Sequence, residues 1–308
     1  MATIDLSGRV ALVTGAGTGL GRSHALALAR RGAIVVVNDL FPCGRTDAPS
    51  ETPTVEAIRQ AGGRASWLQG DVSDPADAVR MIDAVMSEHG RIDILVNNAG
   101  VQNVSPFAEM DMAGFARVIS VHLLGSANMT RAAWPAMIRQ KHGRVVFTTS
   151  STIFGCPGQT AYSAAKAGMI GLMTNLAVEG DEHGIRVNAI APCARAKDLE
   201  DAFSDAFLEV MAPEPVSEAV AFLASDNAPQ RSILYAGGGG FSTLHLVDSG
   251  GLFIGPDVTA EAIQTNFATI SRLDNPREYR FVTDHITKFN AENGISQEIY
   301  RSDWAQQS

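Results

Sequence analysis

The feature that most constrains this chain is an alternation of two patterns. Short apolar, β-branched runs recur at residues 10–13, 34–37, 65–68, 92–96, 144–148, 186–190 and 233–235. Between them lie longer stretches with helical spacing, at 22–31, 51–61, 75–89, 107–140, 162–182 and 217–224. The runs are apolar at successive positions, as strands covered by helices on both faces must be. Strand–helix alternation of this kind predicts an α/β fold with a doubly wound parallel sheet of about seven strands. The helix at 75–89 carries its own punctuation, with Asp74 as N-cap and Gly90 as stop. The run Gly237-Gly-Gly-Gly240 reads as the most flexible point. After Pro256 two polar helices are expected, at about 259–272 and 278–293. The expected organisation is a core of residues 1–255 with a helical extension, 256–308, packed on it.

The chain has 308 residues, 45% apolar and 19% charged, which is ordinary for a globular protein. A net charge of -9 argues against nucleic acid as a partner, since phosphate neutralisation needs a basic face. No run reaches the roughly 18 apolar residues of a membrane span, so no membrane partner is expected. Cys43, Cys156 and Cys193 lie at no metal or redox spacing, and no metal is expected. They read as free thiols of a reducing compartment. The first residues have no basic, apolar leader pattern and the last are not Ser-Lys-Leu. A soluble, cytoplasmic protein is the expectation.

The first run leads into Thr14-Gly-Ala-Gly-Thr-Gly-Leu-Gly21 and then a helix. Glycines let the backbone turn tightly and approach a pyrophosphate, and the helix N-terminus offers free N–H groups. No Gly-Lys-Ser/Thr follows, which disfavours a phosphate-loop NTPase. Asp39 ends the second run, 24 residues after Gly15. A carboxylate there accepts hydrogen bonds from ribose hydroxyls and repels a 2′-phosphate, so NAD is favoured over NADP. Asp71, after the third run, has the same character with less support.

Tyr162 and Lys166 are four residues apart and share a helix face. Thr149-Ser150-Ser151 ends the fifth run, 11 to 13 residues upstream of Tyr162, which puts a hydroxyl at the carboxyl edge of the sheet. A free tyrosine is too weak a base at neutral pH. A neighbouring ammonium or an oxidised nicotinamide favours the phenolate, which can then take a proton from an alcohol. A serine hydroxyl can hold the reacting oxygen. No Gly-x-Ser-x-Gly elbow surrounds Ser150, so acyl chemistry is not indicated.

The glycine loop, Asn97-Asn-Ala-Gly100, a serine near 150 and Tyr162-x-x-x-Lys166 occur in one order that resembles the short-chain dehydrogenase/reductase family. The resemblance covers about residues 5–255. It implies a Rossmann fold, a nicotinamide cofactor, a small-molecule substrate, and Ser150, Tyr162 and Lys166 as catalytic residues. It also implies cofactor contacts at Gly15, Thr18, Gly19, Leu20, Gly21, Asp39, Asp71, Val72, Asn98, Ala99, Gly100, Tyr162, Lys166 and Pro192. Members usually form homodimers or homotetramers. A narrower likeness, through Val-Val-Val-Asn38-Asp39, Val121-His-Leu123 and Gly158-Gln-Thr-Ala-Tyr-Ser-Ala-Ala-Lys166, is to the dehydrogenase domain of the peroxisomal multifunctional enzymes of type 2. It suggests a 3-hydroxyacyl-CoA or a hydroxysteroid as substrate. Another alcohol or ring diol, and an NAD-binding sensor or scaffold without turnover, stay open as alternatives.

Three departures from the family pattern stand out. The position usually held by an Asn in the long helix is His122, either a substitute for it or a packed helix residue. Ser150 and Tyr162 are 12 residues apart, one fewer than expected, so Ser151 and Thr149 remain candidates for the serine role. The usual Pro-Gly with a downstream Thr is Pro192-Cys-Ala-Arg-Ala-Lys197, which puts the contact there in question. Cys156 could line the substrate pocket or simply fill space. Arg195 and Lys197 could meet a CoA phosphate or form a solvated charge pair.

Overall fold

In a computed structural model, residues 3–41, 52–194, 204–279 and 281–292 are described. Contacts divide the chain into two compact units, Met1–Leu244 and His245–Ser308. The first is built on one eight-stranded sheet of order β3-β2-β1-β4-β5-β6-β7-β8. Its strands are β1 (Val10–Val13), β2 (Ile34–Asp39), β3 (Arg64–Gln69), β4 (Ile94–Asn97), β5 (Gly143–Thr148), β6 (Ile185–Cys193), β7 (Ile233–Gly237) and β8 (Gly240–Leu244). All neighbouring pairs are parallel except β7 with β8.

Alternate residues of each strand feed two cores. Val10 and Leu12 of β1, Leu95 of β4 and Val145 and Phe147 of β5 enter one, against Met81, Met129 and Met173. Ala11, Val13, Ile94, Val96 and Val146 enter the other, against Leu28, Val216 and Val220. The central strands β1, β4 and β5 are thus buried on both sides, which is why their sequences show no polar alternation.

The helices of this unit are α1 (Gly19–Ala29), α2 (Pro53–Gln60), α3 (Pro75–His89), α4 (Met112–Ile119), α5 (Gly125–Gln140), α6 (Thr160–Asp181), α7 (Asp205–Val210) and α8 (Glu214–Leu223). α3 runs from end to end as its punctuation implies: Asp74 accepts from Ala76 N–H, and Gly90 closes it at φ 70°. The long helical region 107–140 is divided instead of continuous. Asp111 caps α4 by accepting from Ala113 and Gly114 N–H, and a π turn, Ser120–Leu124, joins α4 to α5. The wide turn inserts an extra residue without ending the helix, so the apolar period gives little sign of it.

Two further differences lie at the sheet edge. The Gly237–Gly240 run is the tight turn of the β7–β8 hairpin rather than a loose joint. Gly238 and Gly239 have φ of 57° and 80°, the pair of positive angles that a two-residue hairpin turn demands. The sheet therefore gains an antiparallel eighth strand. β6 is also longer than its apolar run: Pro192 and Cys193 pair with Ala236 and Gly237.

At the amino-terminal edge of the sheet, buried Asp93 accepts from Val10 N–H at 2.9 Å and from Arg91 Nε at 2.7 Å. Arg9 and His142 flank it, and Arg9 extends the pairing to Asp226.

The second unit holds α9 (Ala260–Ile270), capped by Thr259, and α10 (Val282–Glu292). Within it, Asp248 Oδ2 accepts from Lys288 Nζ at 2.8 Å and from Tyr279 OH at 3.1 Å.

Candidate active site

Sheet order reverses between β1 and β4, and in such sheets ligands bind outside the strand carboxyl ends at that point. A cleft of about 380 Å³ opens there. Its wall takes in every expected cofactor or catalytic residue except Gly19 and Ser150.

The glycine loop forms the floor. A Cβ on Gly21 would lie 2.2 Å from Gly15 O, and one on Gly15 would lie 2.8 Å from Ala99 Cα. Both positions must stay bare for the loop to fold under α1. Asn98 holds the loop from beneath, donating its Nδ2 to Thr14 O and Gly15 O at 2.9 and 3.1 Å. Thr14 Oγ1 in turn accepts from the N–H groups of Asn98 and Ala99, at 3.0 Å each. Asn98 therefore fixes the loop with the amide that the sequence assigned to the cofactor. At the end of β2, Asp39 accepts from Gly17 N–H at 3.1 Å and Leu40 N–H at 2.8 Å. Burial raises its carboxyl above the ordinary range, and those two hydrogen bonds offset part of the rise. Asp71 is lower than usual: burial pushes it up, but hydrogen bonds from Ser73 and the charge of Arg117 outweigh that.

The inner end of the cleft gathers the ionisable groups. Thr149 Oγ1 is buried and donates to Lys166 O at 2.8 Å. Ser150 lies beside Tyr162, close enough to lower its pKa, and Ser150 Oγ accepts from Thr152 N–H at 3.2 Å. Ser151 starts the short 3-10 turn Ser151–Phe154. Lys166 is 2% exposed, donates Nζ to Thr148 O at 2.5 Å, and lies 5.2 Å from the Tyr162 ring centroid. Burial brings its pKa down to about 7. Burial raises Tyr162, and nearby Ser150 counters this only in part. Without a bound cation, then, the phenol is held away from ionisation.

The π turn presents His122 to this cluster. It is 3% exposed and meets Tyr162 edge to face, with ring centroids 5.1 Å apart. Its Nε2 lies 3.0 Å from Val101 N and 2.8 Å from Val101 O. Burial first, then the charge of Lys166, lowers its pKa to about 3, so the ring is neutral. It thus packs on the tyrosine and pins the backbone that follows Gly100.

These residues suit a dinucleotide. The bare glycine floor lies under a helix N-terminus, and Asp39 presents a carboxylate to the cleft from the end of β2. Buried Thr148 Oγ1, in the cleft wall, has no hydrogen-bond partner among the described residues. Thr148 and Arg117 were not legible as site residues in sequence, since each reaches the cleft only through tertiary packing. Pro192 reaches it as part of β6. Cys156 is an exposed free thiol; Cys43, Arg195 and Lys197 lie outside the described residues.

Comparison with known proteins then decides the lineage. The short chain dehydrogenase family profile matches residues 9–206. The chain belongs to the short-chain dehydrogenase/reductase family. Enzymes of this family are oxidoreductases that use nicotinamide cofactors, NAD or NADP. The peroxisomal hydratase-dehydrogenase-epimerase of Saccharomyces cerevisiae is 37% identical over 301 residues, 92% of this chain and 33% of the yeast protein. The full-length peroxisomal multifunctional enzyme type 2 of Drosophila melanogaster superposes with a TM-score of 0.80 at 30% identity, over 95% of this chain and 51% of the fly chain. A short chain dehydrogenase from Mycobacterium avium gives a TM-score of 0.72 at 34% identity, covering 86% of this chain and 95% of that one. The narrower likeness to the multifunctional enzymes of type 2 is therefore real in sequence and in fold. This chain spans only a third to a half of the length of those multifunctional relatives. Among its described residues, no helix is long and apolar enough to cross a membrane, and no group of His, Cys, Asp and Glu could hold a metal.

Proposed function

We propose that this chain is an NAD-dependent oxidoreductase interconverting a secondary alcohol and a ketone, with a 3-hydroxyacyl-CoA as the substrate class. The observation that carries this reading is Ser150 and buried Lys166 gathered around Tyr162 at one end of a cleft whose other end carries Asp39. Bound NAD supplies the hydride acceptor and, when oxidised, a positive charge that favours the phenolate. Ser150 Oγ holds the substrate oxygen. Tyr162 takes its proton as the carbon–oxygen bond becomes a carbonyl. Lys166, buried beside the Tyr162 ring, would hold the nicotinamide ribose when NAD is bound. Asp39 accepts from the adenosine ribose and disfavours a 2′-phosphate.

The substrate class is supported by the dehydrogenase named in the yeast relative and by exposed apolar side chains on the loops around Tyr162. Val104, Phe107 and Phe154 are all more than half exposed, and Ser105 N–H donates to Gly158 O at 3.0 Å, joining the two loops that carry Val104 and the approach to Tyr162. A homodimer or homotetramer and a cytoplasmic location belong to the same proposal. The relatives named above are called peroxisomal, so imaging of the tagged protein decides the compartment.

The test is NADH formation from NAD and a medium-chain (3R)-hydroxyacyl-CoA, run beside a 17β-hydroxysteroid. Turnover of the thioester, cut at least ~100-fold in Tyr162→Phe with NAD binding retained, is the expected result. Turnover of the steroid alone overturns the substrate class. NAD binding without turnover on either, or on a wider alcohol panel, overturns the enzyme reading.

A further inference from the structure

Arg117 is half-exposed in the cleft wall, on the helix that precedes the π turn. Its Nη1 donates to Ser73 Oγ at 2.8 Å and its Nη2 to Asp71 Oδ2 at 3.4 Å. Asp71 is itself fixed, since its Oδ1 accepts from Ser73 N–H and Oγ at 2.8 and 2.6 Å. A guanidinium tied along one edge by two acceptors has a set plane and free faces. The Arg117–Asp71 pair is 45% and 31% exposed, and a pair so open to solvent contributes little stability.

Its place along the cleft is informative. The catalytic pair stands over β5 and α6, on one side of the point where strand order reverses. Asp39, at the end of β2, marks the ribose on the other side. A base attached to that ribose continues outward over the ends of β2 and β3, where Leu40, Gly70 and Val72 line the wall beside Asp71. Among the described residues, Arg117 is the cation of the cleft wall at this end.

We propose that Arg117 binds the cofactor's base, its guanidinium plane stacked on the adenine across the slot formed by Leu40, Gly70 and Val72. This rests on the reading of the cleft as a dinucleotide site. A planar cation on a purine face gains both electrostatic attraction to the π system and stacking area. The hydrogen bonds to Ser73 and Asp71 hold it in that plane, so little freedom is lost when the base arrives.

The test is calorimetric titration of the wild type, Arg117→Ala and Arg117→Lys with NAD, ADP-ribose, AMP and nicotinamide mononucleotide. The first three share the base and the last lacks it. In Arg117→Ala, affinity for all three base-bearing nucleotides falls by a common factor of about ten, the scale of a partly desolvated cation–π contact. Affinity for nicotinamide mononucleotide changes less than twofold. Arg117→Lys, which keeps the charge and loses the plane, recovers less than half of the loss on a logarithmic scale. Unchanged AMP affinity in a folded Arg117→Ala protein overturns the inference. An equal loss for nicotinamide mononucleotide makes Arg117 a structural strut instead, and full recovery by Lys leaves charge without stacking; either also overturns it. A wild type that binds neither NAD nor ADP-ribose defeats the cofactor reading itself, which separates the two failures.

Discussion

Replacing Lys166 with Met should make the unliganded protein more stable and inactive, and the gain should depend on pH. Lys166 is buried, and its pKa is brought to about 7 against 10.5 for a free lysine. At ~1.4 kcal/mol per pH unit, keeping that ammonium inside the folded chain costs about 5 kcal/mol at and below pH 7. Between pH 7 and 10.5 the unfolded chain keeps the proton while the folded chain releases it. The unfolded state binds more protons there, so wild-type stability rises with pH. Met carries no such penalty. Its substitution does remove the hydrogen bond to Thr148 O, worth about 1 kcal/mol. Lys166→Met should thus gain a few kcal/mol at pH 7, and the gain should shrink by about 3 kcal/mol by pH 9, ~1.4 for each unit. Urea unfolding of both proteins without nucleotide, at pH 7, 8 and 9, gives the difference directly, and groups common to both cancel. An advantage that stays constant or widens toward pH 9 would refute the claim that burial governs this lysine.

Two further perturbations read the cofactor end. Asp39→Ala removes a charged acceptor worth about 1.5–3 kcal/mol, so the kcat/KM ratio of NAD to NADP should fall at least about tenfold; an unchanged ratio removes Asp39 from cofactor choice. Gly21→Ala lies in α1, where alanine ordinarily improves a helix by up to ~1 kcal/mol, yet its Cβ would sit 2.2 Å from Gly15 O. The expected result is a destabilisation of about 1–3 kcal/mol with NAD affinity lost, and a raised melting temperature with intact binding would contradict the packing of the loop.

What the sequence disclosed follows from how each feature is held. Strands β1, β2, β4 and β5 were legible because burial on both faces leaves a largely apolar run, whereas β3, half-buried at the sheet edge, left a weaker one. α3 was legible because Asp74 and Gly90 mark its ends locally. β8 was not: Phe241, Ser242 and Thr243 are exposed, and its glycine turn reads as looseness unless both positive φ angles are known. The π turn escaped because one inserted residue barely disturbs a period of 3.6. In the candidate site, Tyr162 with Lys166 depends on one helix and Asp39 on one strand end, so local spacing and sequence context were enough to single them out, and the structure places all three in the cleft wall. Which of Thr149, Ser150 and Ser151 faces Tyr162 depended on how β5 turns into the Ser151–Phe154 segment. Arg117 depended on an approach to Asp71 across 46 residues of chain.

Asp93 and the cluster around Tyr162, at opposite edges of the sheet, differ in how completely their polar atoms are paired. At the amino-terminal edge, Asp93 is surrounded by donors from Arg91, Val10 and Arg9. At the carboxyl edge, Thr148 Oγ1 and His122 Nδ1 are buried without a partner among the described residues, and Lys166 carries a charge that burial opposes. A domain built this way breathes from one side. Amide exchange in the unliganded protein should be fastest at the strand ends facing the cleft and slowest around Asp93. Nucleotide binding should then slow exchange at the cleft edge without altering the far one, because the ligand completes the polar contacts that the chain itself leaves open.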